Sequence, residues 1–225
     1  MRKLFINAGA VALSVLAPLS AQADSGWYAG GNFGLSRNNF NSNDIFSAPA
    51  LCVTVASYTC QKDSSGGVVE VFVGKELRDG FSIEAGLVYI ENSAGADYQQ
   101  PLSTGTLRQS TTALKFSAIK SVSLGSKGVL GFGKLGAALW SSRAAYDRTP
   151  NSVTFYDRSV TQTGISPVLG LGIEIPSGNK TGFRLGWDHY FGMGKEESFF
   201  KVGPNAVTTT KADVDVLYAG FSVKF

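Results

Sequence analysis

The sequence predicts an all-β protein: an eight-stranded antiparallel up-and-down transmembrane β-barrel with four long extracellular loops. Three observations predict this fold. Eight strand-length segments alternate between apolar and polar residues with a period of two, as strands do. Their connections are alternately long and short, which places every long loop at one end of an up-and-down barrel. One face of most segments is bulky and nearly uncharged, as expected of a face that meets lipid.

The chain begins with the layout of a secretory signal peptide. Arg2 and Lys3 precede an apolar run over residues 4–16, which is followed by Pro18 and a small-residue stretch at 21–23. The run is shorter than the ~20 residues that a membrane-spanning helix needs. We therefore expect residues 1–23 to be cleaved as a signal peptide and residues 24–225 to form the barrel domain. An uncleaved membrane anchor is the alternative.

Composition narrows the class of partner. Charged residues make up 16% of the chain, below the quarter that is usual in soluble domains. The net charge of +3 is spread along the chain rather than gathered in a basic patch, which argues against nucleic acid as a partner. Residues 131–136 match the nucleotide-binding pattern G-x-G-x-x-G, but these glycines lie within a predicted strand with no helix after it. We expect no cofactor.

The two cysteines, Cys52 and Cys60, lie close together in a polar stretch of a chain that is predicted to be exported. Oxidising conditions favour a disulfide between them. A metal site is the alternative, but no further cysteine exists and the single histidine is distant in sequence.

The eight predicted strands have short connections on one side and long ones on the other. Turn-forming residues fill the short connections at 78–80, 125–128 and 176–180, and the long connections near 36–67, 91–109, 141–163 and 193–212 are rich in Asn, Ser, Thr and Asp. The strands are predicted at 26–35, 68–77, 81–90, 110–124, 129–140, 164–175, 181–192 and 213–225.

The polar faces of these strands predict a charged barrel interior. Eight strands leave a lumen barely wide enough for side chains, and buried charges need partners, so we expect a salt-bridged plug; a gated ion path is the functional alternative. In the fifth segment an inward Lys134 also places Phe132 inside, which indicates a bulge or a packed plug. A soluble sandwich with its apolar face buried would alternate similarly. The predicted lumen charges are Glu70, Glu84, Lys115, Lys134, Glu174, Arg184, Asp188 and Lys224.

Three segments carry a family resemblance. The last places Leu217, Phe221, Val223 and Phe225 on one face and resembles the C-terminal assembly signal of outer-membrane proteins. Residues 26–34 and 182–190 resemble the first and seventh strands of the OmpA-like outer-membrane β-barrel family. The resemblance implies a bacterial outer-membrane location, with outer-membrane lipid and lipopolysaccharide around the barrel and the barrel-assembly machinery reading the C-terminal strand. Because the sequence stops at the barrel, a cell-wall tether is not implied.

Aromatic residues near the segment ends are interpreted as anchors at the membrane interface. Asp188 and His189 could suggest a hydrolytic triad, but neighbouring strand residues point to opposite faces, so we interpret His189 as part of the same belt. The aromatic anchors are predicted to be Trp27, Tyr28, Tyr89, Trp140, Trp187, Tyr190 and Phe191.

The sequence therefore predicts a non-enzymatic outer-membrane protein whose barrel is a scaffold. Its long surface loops are expected to have structural, adhesive or host-interaction roles, with host surface molecules as the expected partners of the loops. A small-solute or ion channel is the main alternative, and a lipid-modifying outer-membrane enzyme is a third hypothesis.

Overall fold

The computed structural model describes residues 26–39, 59–63, 65–100, 103–125, 128–150, 158–195, 197–202, 205–209 and 211–225. The predicted signal peptide and Cys52 lie outside these ranges. Within them, no helix is long and apolar enough to cross a membrane. The strands are β1 (Trp27–Asn39), β2 (Thr59–Asp63), β3 (Ser65–Glu76), β4 (Phe81–Gln100), β5 (Ser103–Ser123), β6 (Leu130–Pro150), β7 (Arg158–Ser177), β8 (Thr181–Met193), β9 (Glu197–Val202), β10 (Asn205–Thr209) and β11 (Ala212–Lys224).

Eight of these strands close into a ring. Its order is β4-β3-β1-β11-β8-β7-β6-β5, and β5 pairs again with β4. Neighbouring strands are antiparallel throughout. The backbone N–H of Phe225 donates to the carbonyl of Trp27 at 3.1 Å, which ties β11 to β1. The predicted eight-stranded antiparallel barrel is therefore confirmed.

The two ends of the barrel differ in their connections. At the turn end, residues 77–80 and 178–180 form tight turns, and Asp79 and Gly80 both have positive φ. The backbone N–H of Leu124 donates to the carbonyl of Val129 where β5 is followed by β6. At the opposite, loop end, β2 pairs with β4, and β9 pairs with β10 in a separate two-stranded sheet. The segments predicted to be long connections all lie at this loop end, as the up-and-down order requires.

The strands are longer at the loop end than the sequence predicts. The segments near 91–109 and 141–163 were expected to be loops, but β4, β5, β6 and β7 continue through most of them. Only residues 101–102 separate β4 from β5, and only 151–157 separate β6 from β7. The reason is that the backbone hydrogen bonds of an antiparallel ladder do not require an apolar face, so pairing persists after the apolar alternation ends.

The barrel turns its apolar side chains outward. On β5, Leu114 and Phe116 are 42% and 48% exposed, whereas Lys115 between them is 1% exposed. This is the reverse of a soluble sandwich, in which the apolar face is buried. The outward belt includes Phe33, Leu35, Val71, Leu77, Phe81, Ile83, Leu87, Leu114, Phe116, Val122, Leu124, Leu135, Leu139, Ile165, Leu169, Leu171, Ile175, Phe183, Leu185, Phe191, Leu217, Phe221 and Val223.

Candidate functional site

The half of the lumen nearer the turn end holds a buried arginine between two carboxylates. Arg184 on β8 contacts Glu84, which lies on the opposite strand of the ring, β4. Its Nε donates to Oε2 of Glu174 on β7 at 2.6 Å. Its guanidinium carbon also lies near the ring centroids of Phe72 (4.7 Å), Tyr28 (5.2 Å) and Phe132 (5.8 Å). Ionic and aromatic contacts thus fill the barrel across its whole diameter.

Above this arginine, towards the loop end, two lysines and two carboxylates form a second buried group. Lys115 Nζ lies 2.6 Å from Glu70 Oε1 and 2.7 Å from Asp188 Oδ2. Lys134 Nζ lies 3.1 Å from Asp188 Oδ1, and Asn32 donates to the other oxygen of Glu70 at 2.8 Å. Side chains of these four ionic residues are at most 4% exposed. Their formal charges cancel, as a buried ionic cluster requires.

An apolar layer crosses the lumen between this ionic cluster and the loop end. Trp140 on β6 is 4% exposed, and its Nε1 donates to Ser166 Oγ at 2.8 Å. Buried valine and isoleucine side chains belong to the same hydrophobic cluster as Trp140. This layer was not predicted from the sequence, which assigned charged residues and Phe132 to the interior. The buried cluster consists of Val68, Val88, Ile90, Ala113, Ala138, Trp140, Val168, Tyr190, Met193, Val214, Val216 and Tyr218.

The irregular fifth segment has a packed interior rather than a bulge. Phe132 on β6 is 7% exposed and points inward, as the position of Lys134 required. The pairing of β6 with β5 and with β7 is continuous, without a shift in register. Phe132 instead lies beside Arg184 and Lys134, 5.5 Å from the latter's Nζ. An inward aromatic ring is accommodated here because it covers buried cations.

Of the eight predicted lumen charges, the structure brings seven into the two buried groups. Lys224 is separate from them. It lies at the turn end, where its Nζ is 2.6 Å from Oε1 of Glu76, and both side chains are more than 40% exposed. Lys224 has the inward parity of β11, but it is the last residue of that strand and lies below the two buried groups. The buried groups together contain four carboxylates and three cations.

The predicted disulfide lies partly outside the described residues. Cys52 is not among them, and of Cys60 the structure describes the backbone in β2, which pairs with Tyr98 on β4. The disulfide therefore stays a prediction. Residues of the predicted assembly signal lie on the outer wall of β11: Leu217, Phe221 and Val223 are 66%, 45% and 38% exposed. Within the described residues, no group of three or more His, Cys, Asp or Glu side chains could hold a metal ion.

A barrel with this inverted polarity matches a known family. The family described as "Outer membrane protein beta-barrel domain" matches residues 5–225, which is nearly the whole chain. The chain belongs to this outer-membrane β-barrel family. Its place is the bacterial outer membrane, where lipid and lipopolysaccharide surround the apolar belt. No curated protein sequence matches it significantly.

Solved structures of outer-membrane barrels are similar to this chain at low sequence identity. Neisserial surface protein A is 17% identical, with a TM-score of 0.51 over 89% of this chain and 98% of that chain. OprG from Pseudomonas aeruginosa is 14% identical, with a TM-score of 0.49 over 88% and 95% of the two chains. Ail from Yersinia pestis, solved with the heparin analogue sucrose octasulfate, is 11% identical, with a TM-score of 0.43 over 87% and 98%.

The family's topology orients this outer-membrane barrel. Short turns face the periplasm in such barrels and long loops face outward, so the turn end is periplasmic and the loop end is extracellular. The apolar layer at Trp140 thus lies nearer the extracellular side. The ionic clusters lie between it and the periplasm.

Three predicted interface anchors point into the barrel instead. Tyr28, Trp140 and Tyr190 are 2%, 4% and 1% exposed. Each has the inward parity of its strand, which Lys134 already marks on β6 and Asp188 on β8. The charged residues on β6 and β8 were therefore a signal that Trp140 and Tyr190 face the lumen.

His189 lies on the outer wall near the extracellular boundary, as the sequence analysis expects. Its ring is 4.3 Å from that of Phe191 and 5.7 Å from that of Trp187. Asp215 on β11 accepts a hydrogen bond from Trp187 Nε1 at 3.0 Å and lies 2.8 Å from His189 Nδ1. Asp188, which adjoins His189 in sequence, faces the lumen. The arrangement is a polar cluster on the outer wall, between aromatic rings.

Proposed function

We propose that this chain is a non-enzymatic outer-membrane scaffold that carries a rigid extracellular sheet for structural, adhesive or host-interaction roles. The observation that carries the proposal is the continuation of β4 to β7 beyond the apolar belt. Among the side chains that the structure describes on β4, Tyr89 is the last outward apolar residue, whereas the strand runs to Gln100. Eleven further residues span roughly 36 Å along the strand, or roughly 27 Å of height at the usual tilt.

Backbone pairing gives this projecting sheet its stiffness. Residues 94–100 of β4 pair with 103–109 of β5, and β5 pairs with β6 out to Pro150. β2 adds a further strand along β4. A surface held by ladder hydrogen bonds loses little conformational entropy when it binds a partner, which favours contact with large molecules. Host surface molecules are the class of partner that this placement favours.

The packed lumen supports a scaffold over a channel. Any solute path would have to cross the apolar layer at Trp140 and then the two ionic groups around Lys115 and Arg184. Apolar constrictions of this kind exclude water and ions. A channel would require these layers to separate. The contacts of His189 with aromatic rings on the outer wall support an interfacial role for it, and they do not favour the lipid-modifying alternative.

Truncation of the extracellular sheet tests the proposal. Ile90 pairs with Thr111, so residues 91 and 110 are the next positions in that register. A variant in which residues 92–109 are replaced by Asn-Gly therefore keeps the membrane part of β4 and β5 in register and joined by a two-residue hairpin. As a matched control, residues 125–128 of the periplasmic turn are replaced in the same way. Cells displaying the truncated protein should bind cultured host cells or their extracellular matrix less well than cells displaying the control. Equal binding at equal surface density would overturn the proposal.

Single-channel recording separates the main alternative. Purified protein in a planar bilayer is expected to give no stable discrete conductance, because the lumen is filled. Stable unitary openings in the unmodified protein would favour the channel. Heat-modifiable migration on gels should accompany each preparation, since only a folded barrel resists detergent before boiling.

We also propose that the leader and the last strand serve export and assembly. Cleavage after residue 23 would leave a mature chain from 24 to 225, which N-terminal sequencing of the membrane fraction tests. The row of outward apolar residues that ends at Phe225 supports the recognition of β11 by the barrel-assembly machinery. Cross-linking from Val223 to that machinery during synthesis should succeed, whereas cross-linking from a lumen position of the same strand should not.

A further inference from the structure

The outer wall of the barrel has a trench in its periplasmic half, where β6 carries no side chains. Gly131 and Gly133 both occupy outward positions of β6, and a Cβ placed on Gly133 would meet nothing within 4 Å. In register beside them, β5 presents Lys120 and Val122 and β7 presents Leu171 and Ile173. This is part of a wider concavity of about 530 Å³, which continues past β7 to Leu185 on β8 and Leu217 on β11. We call the part between β5 and β7 the β6 trench.

The dimensions of the β6 trench fit a single hydrocarbon chain. Its walls on β5 and β7 are two strand spacings apart, about 9.6 Å between backbones. A chain on the floor would have carbon atoms at van der Waals distance from both walls. Leu124 closes the periplasmic end by packing beside Gly131, and Leu135, which is 67% exposed, bounds the other end. The lining is apolar apart from Lys120.

Lys120 places a cation at headgroup level beside the β6 trench. Its Nζ donates to the carbonyl of Asp79 in the β3–β4 turn and lies 4.1 Å from the ring centroid of Phe81. The side chain therefore extends towards the periplasmic surface, as lysines in membrane walls do. An ammonium group has three N–H donors, so a phosphate oxygen can bind beside the Asp79 carbonyl.

We propose that the β6 trench is a phospholipid site: one acyl chain of a periplasmic-leaflet glycerophospholipid lies on Gly131 and Gly133, and its phosphate binds Lys120. The position of the trench selects this occupant. It lies on the lipid-facing wall, it opens at the periplasmic end, and it has one positive charge where an anionic headgroup would stand. The inference depends on the barrel lying in the outer membrane and not on any adhesive role.

Native mass spectrometry of the folded protein released from detergent micelles tests the site, with 1-palmitoyl-2-oleoyl-phosphatidylglycerol as the probe. Gly133→Leu fills the trench and should weaken retention of one lipid on the order of tenfold. Ala137→Leu places the same side chain on the same face of β6, but outside the trench, and should leave lipid retention unchanged. Lys120→Gln should weaken retention about fivefold, the usual effect of one lysine near an anionic lipid surface.

Each outcome of this experiment supports or overturns the site. If Gly133→Leu and Ala137→Leu retain lipid equally, the trench does not hold an acyl chain. If Gly133→Leu changes the oligomeric state while lipid retention is unchanged, a second copy covers the trench and the lipid proposal is wrong. Should Gly133→Leu fail to give a heat-modifiable barrel, Val122→Phe narrows the trench from its β5 wall, and the same comparison with Ala137→Leu decides.

Discussion

Asp188 is the side chain on which the ionic cluster of the lumen depends, since it contacts both Lys115 and Lys134. Replacing it by asparagine keeps the shape but leaves an excess positive charge in a site that is 1% exposed. Removing one partner of a buried ionic cluster costs about 3–5 kcal/mol. We expect Asp188→Asn to lower the free energy of unfolding by about that amount. Lys134→Met removes the excess charge, so the double variant should recover about 1–3 kcal/mol relative to the sum of the single changes.

Urea unfolding in detergent micelles measures these differences, followed by tryptophan fluorescence and by the migration of unheated samples on gels. Asp215→Asn is the matched control. It makes the same chemical change on the outer wall, where the carboxylate side chain is 41% exposed, and should cost no more than about 1 kcal/mol. If Asp188→Asn costs as little as Asp215→Asn, or if the two lumen changes are additive, the lumen charges do not act as a cluster.

Further changes probe the other features. Trp140→Ala should destabilise the barrel by about 3–5 kcal/mol in the same urea assay, because it removes a buried indole ring from the apolar layer; a cost below 1 kcal/mol would contradict tight packing there. Leu185→Arg puts a charge on the lipid-facing wall and should lower the free energy of unfolding in lipid vesicles by about 2–4 kcal/mol. If that wall met water, the free energy of unfolding would hardly change. Peptide mapping without reductant should recover Cys52 and Cys60 in one linked peptide, and alkylation of both thiols would exclude the disulfide. Deleting Phe225 should reduce the folded fraction in cells, read by heat-modifiable migration, and an unchanged fraction would exclude its role in assembly.

The membrane part of the fold follows from the sequence because lipid outside and the lumen inside require opposite polarity at alternate residues. On β5 the order Leu114, Lys115, Phe116 is decisive, since a lysine between two large apolar residues assigns both faces at once. The same reasoning placed eight charges in the lumen, and the structure buries seven of them. It gave no information on which carboxylate meets which cation, because that depends on how strands from opposite sides of the ring face each other.

The sequence did not predict which way side chains point where both faces of a strand have the same polarity. At 87–90 every residue is apolar, so the alternation does not reveal that Val88 and Ile90 point inward and contribute to the layer around Trp140. Beyond the membrane, Thr and Ser occur on both faces, and the strand extensions were therefore interpreted as loops. Parity counted from the nearest charged residue would have recovered the inward residues. The length of the extensions depends on pairing between strands, which local sequence does not encode.

The contact of Glu84 with Arg184 joins residues one hundred positions apart, on strands that stand on opposite sides of the ring. No single hairpin contains both residues. The β3–β4 hairpin, if it entered the bilayer alone, would carry the Glu84 carboxylate into hydrocarbon without Arg184, at a cost of several kcal/mol. Stepwise insertion of hairpins is therefore unfavourable for this sequence. Entry into the membrane and joining of the first strand to the last should occur as one concerted event, with the nascent sheet sheltered from lipid until the cylinder is complete.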